Sequence, residues 1–83
     1  MGWTITFPSP MPPQGGEICV TISGGSGSPP TVTVGFDEGI TVEIQDIKDR
    51  GNGIYVVCFT IPAGYGSGRL SVSDRSGSIV QYF

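Results

Sequence analysis

Gly53-Ile54-Tyr55-Val56-Val57-Cys58-Phe59-Thr60-Ile61-Pro62 is the longest apolar run in the chain. Tyr55, Val57, Phe59 and Ile61 take alternate positions, the period of a strand with one face on a core. Gly51-Asn52-Gly53 turns the chain into this strand and Pro62 ends it. Working outward, the same alternation recurs in shorter pieces. Glu17 to Ser23 turns Ile18, Val20 and Ile22 inward, with Cys19 and Thr21 outward. Thr31 to Phe36 collects Val32, Val34 and Phe36 on one face, and Ile40 to Ile44 does so with Ile40, Val42 and Ile44. Arg69 to Ser73 contributes Leu70 and Val72. A first strand alternates Trp3, Ile5 and Phe7 with Thr4 and Thr6, and a last strand runs from Ser78 to Phe83.

The intervening segments read as connections. Pro8 to Gly16 is a proline-stiffened crossing that cannot supply a full set of ladder donors. Gly24 to Pro30 is a Gly/Ser loop, and Asp37-Glu38-Gly39 is a turn. Gln45 to Gly53 reads as a polar turn region anchored only by Ile47. Ala63 to Gly68 is a glycine-rich loop carrying Tyr65, and Asp74 to Gly77 is a turn. Seven short strands with turn signals about every 8–12 residues predict an all-β, seven-stranded β-sandwich. A small barrel is the alternative.

Composition agrees. The 83 residues make one domain, residues 1–83, with 14 Gly and 7 Pro. Helix formers are scarce and no helical apolar period of useful length occurs. Charged residues are 13% of the chain, against a usual value of about 25%. Ser, Thr, Gly and Gln must therefore cover the surface. Net charge is −3, and the cations are Lys48, Arg50, Arg69 and Arg75. A phosphate-backbone binder needs a basic stripe, so nucleic acid is not an expected partner. No apolar run approaches the roughly 20 residues of a membrane helix, and no membrane insertion is expected. Met1-Gly2-Trp3 lacks the basic end and apolar segment of a secretory signal.

Two stretches carry a resemblance. Ile5-Thr6-Phe7-Pro8-Ser9-Pro10, then Gly15-Gly16, then Val20-Thr21-Ile22-Ser23-Gly24, is similar to the opening of the immunoglobulin-like IPT/TIG family. Ile61-Pro62-Ala63-Gly64-Tyr65-Gly66-Ser67-Gly68 leading into Leu70-Ser71-Val72-Ser73 resembles that family's corner and the strand after it. A filamin-type repeat is the second resemblance, through Gly53-Ile54-Tyr55-Val56-Val57-Cys58-Phe59. Both imply the same sandwich.

In that sandwich the second and fifth strands lie side by side, which brings Cys19 and Cys58 within reach of a disulfide. The bridge would close a loop of about 40 residues, worth about 4 kcal/mol in the chain-entropy view. Two separate half-buried thiols in a cytosolic protein are the alternative. With no His in the chain, Ser-His and Cys-His nucleophiles are excluded, and two Cys alone make no structural zinc site. No catalytic residue, metal or cofactor is expected. Asp46, Asp49 and Asn52 bunch in one turn and Asp37-Glu38 in another. Asx-turn chemistry explains them more simply than calcium, which wants six or more oxygens.

Aromatics are the better lead. Tyr65, in its Gly-rich loop, is the expected ligand contact. Trp3 is expected to pack inward with Ile5 and Phe7, and Tyr82 to close the sandwich. The resemblance then implies a non-catalytic spacer or adhesion module of an extracellular or cell-surface protein. Its partner would be a protein or a neighbouring domain. The alternatives are a carbohydrate-binding accessory domain of a polysaccharide-degrading enzyme and a filamin-like intracellular scaffold repeat. Open edges at the first and last strands add self-association, since few charges blunt them.

Overall fold

The computed structural model describes residues 2–8, 16–25, 27–36, 41–62 and 68–83. Among them eight strands form: β1 (Thr4–Thr6), β2 (Glu17–Ser23), β3 (Thr31–Phe36), β4 (Thr41–Glu43), β5 (Ile47–Gly51), β6 (Ile54–Thr60), β7 (Gly68–Asp74) and β8 (Gly77–Tyr82). They build two four-stranded antiparallel sheets, ordered β1-β2-β6-β5 and β4-β3-β7-β8. The apolar faces of the two sheets share one core, the arrangement of a β-sandwich.

The longest apolar run of the chain forms β6, which lies between β2 and β5. Its inward positions Tyr55, Val57 and Phe59 are buried, as is Ile61 just beyond it. Ile18, Val20 and Ile22 of β2, Val32, Val34 and Phe36 of β3, and Leu70 and Val72 of β7 complete the core, all as their alternation requires. Fully burying one such side chain stabilises the fold by about 1.5–3 kcal/mol. Aromatics close the core at both ends. At one, the Trp3 ring packs tilted against Tyr55, with centroids 6.1 Å apart. At the other, Phe83 meets Phe7, Phe36 and Phe59 with ring centroids 5.5–6.3 Å apart.

Three readings of the sequence need correction. Eight strands form among the described residues where seven were expected, because Gln45 to Gly53 is not all turn. Ile47–Gly51 pairs with β6 through a hairpin whose central residues, Asn52 and Gly53, both have positive φ (57° and 76°). That is the backbone demanded by a tight two-residue hairpin loop. The register slips between Asp49 and Gly51, a bulge, and the polar residues of β5 are exposed at the edge of the sheet. Val42 does not join the buried core and is 50% exposed. It lies beside inward residues Val34 and Ile44, but β5 pairs with β6 only as far as Val57, leaving that end of the inner face uncovered. Tyr82 does not close the sandwich: it points outward, and Phe83, one position on, takes the inward place. Ile40, which was expected inward with Val42, lies outside the described residues.

Candidate functional site

The outer face of the β4-β3-β7-β8 sheet gathers the side chains with most to offer a ligand. Cross-strand register sets Thr41, Gly35, Arg69 and Tyr82 in one row, and Glu43, Thr33, Ser71 and Val80 in the next. Gly35 shapes the first row. A Cβ placed there would lie 2.6 Å from Arg69 Cζ and 2.8 and 2.9 Å from its two Nη atoms. Three nearly equal distances mean that the guanidinium plane faces the bare backbone at Gly35. The arginine therefore lies along the sheet instead of standing off it. Beside it Tyr82 is 72% exposed, and Val80 on the same strand is 49% exposed.

The chemistry of this patch is mixed. Tyr82 supplies an apolar ring with a polar tip. Arg69 supplies planar donors suited to a carboxylate or to vicinal hydroxyls. Ser71 and Thr33 supply hydroxyls, and Glu43 an acceptor. Tyr and Arg are the residues that most often anchor protein interfaces.

The other expected site residues fall as follows. Tyr65 lies outside the described residues. Trp3 is buried at 5% exposure, with its Nε1 unpartnered among the described residues. It therefore serves packing. Cys19 and Cys58 are direct cross-strand partners and form a disulfide, with Cα atoms 4.1 Å apart. That spacing belongs to a pair exchanging no backbone hydrogen bonds, where side chains approach closest. The bridge lies on the outer face of its sheet, opposite the Tyr82 patch.

Two acidic turn residues bond within their own turns. The Asp49 carboxylate accepts from the Gly51 N–H at 2.8 Å, an Asx turn within the β5–β6 hairpin. Asp74 does the same for Ser76 N–H and Oγ in the β7–β8 turn. Among the described residues no three His, Cys, Asp or Glu side chains gather as a metal site. Asp37-Glu38 lies outside the described residues. A groove of about 330 Å³ opens between the sheets where β5 stops short, lined chiefly by Val34, Val42, Ile44, Phe59 and Pro62.

Tyr82, an aromatic near the terminus that the sequence reading set against the core rather than in solvent, is exposed. The signal was present: Ile79 and Phe83 share a parity, and counting from either one sends Val80 and Tyr82 outward. No protein-family model, curated protein or solved structure matches the chain.

Proposed function

We propose that this chain is a non-catalytic interaction module of immunoglobulin-like topology, one unit of a secreted or cell-surface protein acting in adhesion or as a spacer. The strand order supports the topology. Sheets β1-β2-β6-β5 and β3-β7-β8 follow the A-B-E-D and C-F-G orders of a seven-stranded immunoglobulin sandwich, and β4 is an added edge. The Cys19–Cys58 bridge supports an oxidising, extracellular setting over a filamin-like intracellular one. The observation that carries the interaction role is the Tyr82–Arg69 patch, an exposed aromatic beside a sheet-laid guanidinium.

Carbohydrate binding is the second reading. It is favoured by the same exposed ring with hydroxyl, guanidinium and carboxylate groups in adjacent rows. Protein and glycan arrays probed with the labelled domain separate the two. Tyr82→Ala and Arg69→Ala should each weaken the hit by about tenfold or more, the scale of a hot-spot side chain. Thr21→Ala, on the opposite sheet, should not change it. Full affinity in both face variants would show that the patch is not the site.

A further inference from the structure

Each sheet of a sandwich has two edges, and an open edge invites another strand unless something blunts it. Three of the four edges here are blunted. β1 is three residues long, and Pro8 follows closely. β4 is three residues long and includes Glu43. β5 carries Lys48, Asp49 and Arg50 and is bulged. The fourth, β8, has none of these devices. It runs six residues, Gly77–Tyr82, without charge, proline or register slip.

The free backbone groups of β8 follow from its pairing with β7. Gly68 and Phe83 exchange both hydrogen bonds, at 3.1 and 3.0 Å. Bonded pairs alternate along an antiparallel ladder. Leu70–Gln81 and Val72–Ile79 are therefore bonded pairs as well, and Ser78, Val80 and Tyr82 direct their N–H and C=O groups away from β7. Among the described residues, Gln81 Nε2 donates to the Tyr82 carbonyl on this row, a long contact at 3.5 Å.

From this geometry we infer that β8 is a pairing edge and that its occupant is a second copy of this chain, joined antiparallel about Val80. The edge is complementary to itself. Centred on Val80, the two-fold sets Val80 against its own copy and Ser78 against Tyr82 of the other chain. Each of those pairs aligns outward N–H with outward C=O, and the two sheets merge into one of eight strands. Val80 side chains meet on the outer face, each Tyr82 ring lies beside a Ser78, and no charge enters the seam. The other long edge forbids the same arrangement. Antiparallel self-pairing of β5 about Asp49 would set Asp49 against Asp49 and Lys48 against Arg50, like against like. The symmetric pairing closes as a dimer and does not propagate.

Sedimentation equilibrium tests this from about 10 μM to about 1 mM, the range for an interface of one strand pair. The average mass should rise from 8.7 kDa toward twice that value. Amide exchange at Ser78, Val80 and Tyr82 should slow with concentration, while exchange at Ile79 and Gln81, already bonded to β7, should not change. Val80→Pro removes an outward N–H and spares the β7 ladder, so it should leave a monomer with an unchanged fold. Val80→Lys, which places like charges at the two-fold, should weaken association about tenfold or more, and it serves if the proline variant fails to fold. A wild-type mass of 8.7 kDa throughout would overturn the inference, and would leave the edge to a strand of a different protein. Association that persists in both variants, or that slows exchange on another edge, would overturn it as well. Because Tyr82→Ala keeps the backbone groups, it should lose ligand and still dimerise.

Discussion

Tyr82 and Phe83 are adjacent aromatics with opposite duties. Phe83 is the hub of a four-ring cluster that joins both sheets, whereas the Tyr82 side chain lies largely in solvent. Phe83→Ala should lower the unfolding free energy by about 2–4 kcal/mol, the range for losing a large apolar side chain from a core it only partly enters. Tyr82→Ala should stay within about 0.5 kcal/mol of wild type, as surface substitutions usually do. Urea unfolding of the two variants reads both values. Gly35→Ala is a subtler probe of the same face. The atoms in its way are the movable end of Arg69, so the melting midpoint should hold while the guanidinium lifts off the sheet. Ligand affinity should then fall several-fold without loss of fold, an outcome that distinguishes the arginine's posture from its charge. The general parity rule was readable from the chain. That Arg69 would lie on Gly35 was not, because the two are 34 positions apart and meet only through the β3–β7 register.

Among elements, the β2–β6 pair carries the sheet's covalent tie. The bridge joins residues 39 positions apart, so in the chain-entropy view it removes about 4 kcal/mol of disorder from the unfolded chain. Joint Cys19→Ser and Cys58→Ser substitution should therefore lower the melting temperature by on the order of 20 °C, given about 4–8 °C per kcal/mol in a domain of this size. Thermal circular dichroism of that variant, beside wild type with and without reductant, measures it; equal midpoints would refute the stabilising role. The pairing of strands two and five was anticipated from the fold that the chain resembles, and the register sets Cys19 directly against Cys58. β5 was not anticipated. Its residues, Ile47-Lys48-Asp49-Arg50-Gly51, have almost no apolar side and so no periodicity to read. The legible sign was indirect: Asn52-Gly53 before a strong strand is a hairpin turn, and a hairpin needs a strand on each side.

At the scale of the whole molecule, low charge shapes behaviour. Only 13% of residues are charged, and exposed ion pairs are worth about 0–1 kcal/mol each. Raising sodium chloride from about 20 mM to about 500 mM, which shrinks the screening length several-fold, should move the melting midpoint by less than about 2 °C. A larger shift would mean that charge contributes more to this fold than its composition suggests. The same scarcity leaves β8 unguarded, which is why a feature of overall composition ends as a property of one edge. By itself the sequence determined the all-β class of the fold and the inward faces of β2, β3, β6 and β7, because side-chain alternation is a local property with a period of two residues. It also determined which chemistry is out of reach for a chain without His. The tertiary structure alone decided which strands became edges, where Arg69 came to rest, and that Val42 is left exposed at the uncovered end of the core. Each of those depends on the pairing of distant strands, and register between strands is settled by packing across the whole core rather than by any single stretch.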